Sequence, residues 1–191
     1  MVSLNILSWN VRGLNAPIKR TRCLEFLHRN SVSIALLQES HLKREDILRF
    51  QNKNYKILAN SSALNKSKGV LILIKRSVKL SVDLIGGDDT GRFVYTAVKI
   101  NNIKLLLISI YAPNEFDQHF LDNIFKTLLQ FNDYRMVLGA DFNASVHPPL
   151  DRSFNDPDSP YPPSYLRLTS SLLSLASPSL TLVLSPVTLE C

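Results

Sequence analysis

The chain has 191 residues, 45% of them apolar, which is enough for one globular domain with its own core. Its two cysteines, Cys23 and Cys191, rule out a disulfide framework and point to a reducing intracellular compartment. The net charge is +6, and residues 151–191 hold Asp151, Asp156, Asp158 and Glu190 against Arg152 and Arg167, so the preceding body carries +8, a balance that suits a polyanionic partner, although charge alone slightly favours a solvated basic face. No uncharged apolar run matches a membrane span: residues 168–189 come nearest but are studded with serine and broken by Pro178 and Pro186. Trp9, Asn10 and Arg12 likewise interrupt any signal-like stretch at the start.

In chain order, residues 4–10 read as a strand ending in a polar residue. Asn15-Ala16-Pro17 is a helix start, a capping-type residue followed by a proline suited to the first turn. The helix runs to about Arg29, with Leu24 and Leu27 facing inward. Residues 34–38 are a second strand, apolar until Gln38 and Glu39. A short helix is expected over 43–51 and a strand over 55–59. The β-branched and leucine run 69–75 has the pattern of a buried strand, and the alternating segment 78–84 is expected to pair with it. Gly86-Gly87-Asp88-Asp89 is a turn cluster. Strands over 93–100 and 103–111 flank a hairpin turn at Asn101-Asn102. In 116–131, Leu121, Ile124, Phe125, Leu128 and Leu129 form one helical stripe. A last strand over 135–139 leads into Ala140-Asp141-Phe142-Asn143. Strand pairs between flanking helices predict sheets packed on each other with helices outside.

The tail differs. From Ser153 onward, Ser, Leu, Pro and Thr account for 27 of 39 residues, with no glycine after Gly139 and no lysine after Lys126. Neither the helix nor the strand period is strong there. The chain therefore divides into a domain over 1–152 and a tail over 153–191, read as disordered or as translated out of frame; the abrupt change and the high leucine content favour the second.

Polar residues stand at the ends of apolar strands: Asn10, Glu39, Tyr111 with Asn114, and Asp141 with Asn143. Taken singly, each is ordinary turn or cap chemistry, and His41 and His147 read as surface groups. Gathered at one sheet edge, two carboxylates and several carboxamides would suit a hard cation such as Mg²⁺, which uses one or two carboxylates and keeps waters for a substrate phosphate. Gly-rich phosphate loops, zinc spacings and nucleophile elbows are absent from the sequence.

Ser8-Trp9-Asn10-Val11-Arg12-Gly13-Leu14, Leu37-Gln38-Glu39-Ser40-His41, Ser109-Ile110-Tyr111-Ala112-Pro113-Asn114 and Gly139-Ala140-Asp141-Phe142-Asn143 together resemble, in order, the motifs of the endonuclease/exonuclease/phosphatase superfamily. The wording is most similar to the endonuclease domain of LINE-type non-LTR retrotransposons. Lys68-Gly69-Val70 and Leu150-Asp151-Arg152-Ser153 also resemble that subfamily, and the likeness runs from about residue 4 to 153.

The resemblance implies a four-layered α-β-β-α sandwich and Mg²⁺- or Mn²⁺-dependent hydrolysis of a DNA phosphodiester. It makes Glu39 the principal metal ligand and Asn10 its support. It places Tyr111 at the scissile phosphate, gives Asp141 the attacking water, and lets Asn143 stabilise the transition state. Arg12 and Asn114 take supporting or DNA-contact roles. It also suggests a monomer, an ancestral fusion to a reverse transcriptase, and, through the DNA substrate, a nuclear location. Phosphoinositide or sphingomyelin phosphodiesterases belong to the same superfamily, but the motif wording and basic body argue against them.

Two departures bear on activity. Ala140 replaces the usual glycine before Asp141, so an alanine must accept the backbone conformation at that point, with modest damage expected. The closing Ser-Asp-His motif is absent, with no histidine after His147, and the last strands of the second sheet are expected to be missing, which makes the fold C-terminally incomplete. The expectation is a nicking endonuclease that is weak or inactive. The alternatives are a non-catalytic DNA-binding remnant and a decayed mobile-element product.

Overall fold

The computed structural model describes residues 4–115 and 117–141, and the backbone of 180–183. β1 (Ile6–Asn10) runs parallel to β2 (Ile34–Gln38), with Asn10 level with Gln38. Parallel neighbours cannot be joined by a tight turn, and α1 (Pro17–Arg29) makes the crossover. A 3₁₀ helix (Arg44–Arg49) then leads to β3 (Tyr55–Ser61) and β4 (Val70–Lys75), and the first sheet has the order β1-β2-β4-β3. β5 (Ser81–Gly87), β6 (Phe93–Ile100) and β7 (Ile103–Tyr111) form an antiparallel meander. After β7, α2 (Gln118–Leu128) crosses over to β8 (Arg135–Asp141), which lies parallel to β7 with Asp141 level with Tyr111. β1 with β2, and β7 with β8, are thus parallel pairs each joined by a helix, and the carboxyl ends of these two pairs carry the candidate site residues.

Three apolar layers separate four layers of structure. Leu24 and Leu27 of α1 pack on Ala35, Leu37, Leu71 and Leu73. Between the sheets, Ile34, Leu36 and Ile72 meet Val94, Leu105, Leu107 and Val137. On the far side, Ile124 and Leu128 of α2 cover Ala97, Leu106, Ile108 and Leu138. β2 and β4 are buried on both faces, which is why both lack polar alternation over most of their length. The arrangement is the expected α-β-β-α sandwich.

Several local expectations need revision. The segment 78–84 does not pair with β4, because both edges of β4 are already taken by β2 and β3. Instead Val78 and Leu80 pack between the sheets and the chain passes into the second sheet, where β5 pairs with β6. Gly86 and Gly87 extend β5 rather than turning. The turn that follows is built by Asp88, whose Oδ1 accepts the backbone N–H groups of Arg92 and Phe93 at 3.1 Å each and whose Oδ2 accepts the Thr90 hydroxyl.

Ala16, not Asn15, caps α1, without a side-chain bond. The Arg20 guanidinium secures that entry by donating to the carbonyls of Leu14 and Asn15 at 3.0 and 2.8 Å. The helical stripe of the 116–131 segment is confirmed for Leu121, Ile124 and Leu128, whereas Leu129 lies in a terminal 3₁₀ turn and is 65% exposed. Phe116 lies outside the described residues. In the tail, Leu180–Val183 forms β9, parallel to β8 at Met136–Gly139, so part of that segment adds a fifth strand to the second sheet. The remainder of the tail, and residues 142–152 with Asn143 and His147, lie outside the described residues.

Candidate active site

Asn10 is the junction. Its Nδ2 donates to Glu39 Oε1 at 2.8 Å and to Asp141 Oδ2, so one amide spans a carboxylate from the first sheet and one from the second. Its Oδ1 accepts the Arg12 backbone N–H at 3.0 Å. That bond fixes the amide's orientation, because the oxygen is occupied by a donor and the NH₂ must face the carboxylates.

The loops leaving β1 and β2 are bound together. Val11 N donates to Gln38 O at 3.0 Å, Gly13 N to Glu39 O at 2.6 Å and Leu14 N to Ser40 O at 2.7 Å. Arg12, Glu39 and His41 hold left-handed backbone with φ of 47°, 54° and 56°. Such conformations cost side-chain-bearing residues on the order of 1 kcal/mol each and cluster at functional sites; here the three cross-loop bonds offset the cost. Gly13, at φ 85°, leaves room for the His41 ring, and a Cβ there would lie 2.9 Å from His41 Nδ1. His41 Nε2 in turn lies 3.7 Å from Glu39 Oε2. His41, expected to be a surface group, is therefore lodged beside the candidate ligand.

Tyr111 is half-buried and level with Asp141, and the Ala112 N–H donates to Asp141 O at 2.8 Å. Arg92 accompanies Tyr111: its guanidinium carbon stands 5.5 Å from the ring centroid and its Nη1 donates to Tyr111 O at 3.3 Å. No motif marks Arg92 in the sequence; a basic residue at the start of a strand is too common to single out. The Arg12 side chain is exposed, and its carbonyl accepts Lys19 Nζ at 2.8 Å. Asn114 is exposed in the loop after β7. The structure thus brings Asn10, Glu39 and Asp141 together, sets Tyr111 and Arg12 alongside, and leaves Asn114 at the periphery.

Ala140 continues β8 opposite Ile110 and is not among the positive-φ residues. The conformational damage expected of this alanine is absent. The glycine that matters is Gly139, where a Cβ would lie 2.7 Å from Ser8 Oγ and 2.8 Å from Leu36 Cβ.

Among the described residues, no three His, Cys, Asp or Glu side chains converge to cage a metal. A closed zinc-type cage is therefore not formed by them. Two carboxylates fixed on one carboxamide fit a hard divalent cation, which needs one or two carboxylates and otherwise takes water and substrate oxygens.

Several solved structures share this architecture. The endonuclease domain of TRAS1, a telomere-specific non-LTR retrotransposon, matches with a TM-score of 0.61 at 15% identity over 91% of this chain and 71% of that one. A mannosyl-6-phosphatase of Bacteroides thetaiotaomicron matches at 0.57 with 14% identity, over 74% of this chain and 66% of its own. D. rerio TDP2, solved with a single-strand DNA product, matches at 0.55 with 20% identity, over 74% of this chain and 61% of its own. The chain thus spans less than two thirds of the last two. At these identities the likeness concerns the fold. The sequence model of the endonuclease/exonuclease/phosphatase family matches residues 7–170, reaching past the last motif and into the tail. With that match covering most of its length, the chain belongs to the endonuclease/exonuclease/phosphatase family.

Proposed function

We propose that this protein is a divalent-metal-dependent DNA endonuclease of the retrotransposon type, weak or inactive as the 191-residue chain. The observation that carries the reading is the Asn10 amide spanning Glu39 and Asp141, which sets two carboxylates from separate sheets at one point. The TRAS1 domain and TDP2 are DNA-processing proteins by their titles, and a basic body suits DNA here.

Mg²⁺ or Mn²⁺, held by Glu39 with Asn10 supporting it, would supply neutralisation of charge on the phosphate and the leaving oxygen. Asp141 would orient the attacking water and accept its proton. The water oxygen forms the new bond to phosphorus as the ester bond to the leaving sugar oxygen breaks. Tyr111, steadied by Arg92, would contact the scissile phosphate, and Asn143 would donate to its developing charge. Arg12 and Asn114 would hold flanking backbone. On this reading the protein is a nuclear monomer, and the resemblance to retrotransposon endonuclease domains carries an ancestral fusion to a reverse transcriptase.

A second reading is a DNA-binding remnant without catalysis, since a basic body suits a polyanion whether or not its backbone is cut. The tail's composition favours a decayed mobile-element origin. Nicking of supercoiled plasmid with Mg²⁺ or Mn²⁺ tests the reading, with Glu39→Ala and Asp141→Asn beside the wild type. Weak nicking lost in both variants supports it. Nicking that persists in both variants overturns the site. Salt-dependent DNA binding with no cleavage by any of the three establishes the remnant.

A further inference from the structure

The inner faces of four strands change character at one level. β1 presents Ile6 and then Ser8, β2 Leu36 and then Gln38, β7 Leu107 and then Ser109, and β8 Val137 and then Gly139. Two residues further along β1, β7 and β8 lie Asn10, Tyr111 and Asp141, and Glu39 directly follows Gln38 at the end of β2. Residues two apart on a strand share a face, so Ser8, Ser109 and Gly139 sit directly behind Asn10, Tyr111 and Asp141. Ser8, Gln38 and Ser109 are 3%, 1% and 0% exposed. Gln38 Nε2 donates to Ser109 Oγ at 3.0 Å across the gap between the sheets and to Leu36 O at 3.1 Å, and Ser109 Oγ donates back to Leu37 O at 3.2 Å. Ser8 Oγ lies 3.5 Å from Gln38 Oε1.

A buried polar cluster is an expensive way to fill space, since apolar side chains of the same volume need no partners. Hydrogen bonds add what apolar packing lacks, a fixed direction and separation. That matters here because Glu39 and Asp141 belong to different sheets, and a single amide must reach both.

We propose that Gln38 is a positioning residue for the cation-binding group. Its carboxamide pins β2 to β7 beneath the site and so sets the separation that Asn10 spans between Glu39 and Asp141. The inference rests on the metal-dependent reading above. It concerns a residue that touches neither substrate nor cation.

The test is Mn²⁺ binding by calorimetry to the full chain, with thermal midpoints measured without metal. The proteins are wild type, Glu39→Ala, Gln38→Leu, Ser109→Ala and the double variant Gln38→Leu/Ser109→Ala. Wild type is expected to bind and Glu39→Ala to lose binding. Gln38→Leu is expected to weaken binding about 10-fold, the usual effect of removing a group that orients a ligand. The double variant separates positioning from stability. With Ser109 also apolar, its hydroxyl no longer faces a leucine without its Gln38 donor, so the midpoint recovers in part relative to Gln38→Leu although Ser8 still lacks Gln38, while Mn²⁺ affinity stays about 10-fold down. A double variant that binds Mn²⁺ as the wild type does overturns the proposal. If Gln38→Leu and the double variant do not fold, Ser109→Ala decides: weakened binding at an unchanged midpoint supports the role, and unchanged binding overturns it. Equal absence of binding in wild type and Glu39→Ala is the distinct signature of a failed metal reading, and the proposal falls with it.

Discussion

Gly139→Ala puts the packing between the sheets to a direct test. In an open strand this change stabilises, by about 0.5–1 kcal/mol, because alanine loses less backbone freedom on folding. Here the new methyl would lie 2.7 Å from Ser8 Oγ, 2.8 Å from Leu36 Cβ and 2.9 Å from Leu36 Cδ1. Leu36 Cβ is fixed by its own backbone in β2, so the sheets themselves must separate. Forcing a methyl into a packed core costs about 1–3 kcal/mol, which outweighs the entropic gain and leaves a net loss of about 1–2 kcal/mol. For a chain of this size that lowers the melting midpoint by roughly 2–4 °C per kcal/mol. Far-UV circular dichroism on heating, with a urea titration to confirm an unchanged slope, measures it. A midpoint equal to or above wild type would refute the reasoning: the sheets would then have room to spare behind Asp141.

Asn10→Ala removes the amide that spans Glu39 and Asp141, and Mn²⁺ affinity by calorimetry should fall at least about 10-fold; unchanged affinity would mean the carboxylates are placed by other groups. Gly13→Ala meets both a φ of 85° and a contact of 2.9 Å with His41 Nδ1, so a loss of about 1–2 kcal/mol is expected in urea. Tyr55 is buried and its hydroxyl donates to Val32 O at 2.7 Å, so Tyr55→Phe should cost about 1 kcal/mol at neutral pH. Burial raises the Tyr55 pKa above its ordinary value of 10.0. The neutral phenol is thus favoured in the folded state: its contribution is complete below pH 10.0 and declines as pH rises beyond it. The stability gap between wild type and Tyr55→Phe should therefore narrow in alkaline urea titrations. DNA affinity should fall linearly on a log–log plot against salt concentration, with Arg12→Ala reducing the slope by about 1 if Arg12 meets a phosphate.

Much of this protein was legible from local pattern. The strand boundaries of β2, β6 and β7 follow from apolar runs and alternation, and Asn101-Asn102 turns as expected, with φ of 49° and 66°. These features depend on neighbours within a few residues. Partnership is different: residues 78–84 leave the first sheet because β4 has no free edge, and a strand arises at Leu180–Val183 because β8 offers one. Neither vacancy nor occupation of an edge is written in the segment that meets it.

The site divides in the same way. Sequence by itself carried the resemblance to the family and the order of its motifs, since each motif is a short contiguous run and four of them follow in order. Tertiary structure alone decided that Asn10 reaches Asp141, 131 residues away. It also lodged His41 between Gly13 and Glu39, made Gly139 rather than residue 140 the indispensable small residue, and gave Gln38 a partner on the opposite sheet. The physical reason is that such contacts are set by how two sheets stack, and that separation depends on every residue between them at once.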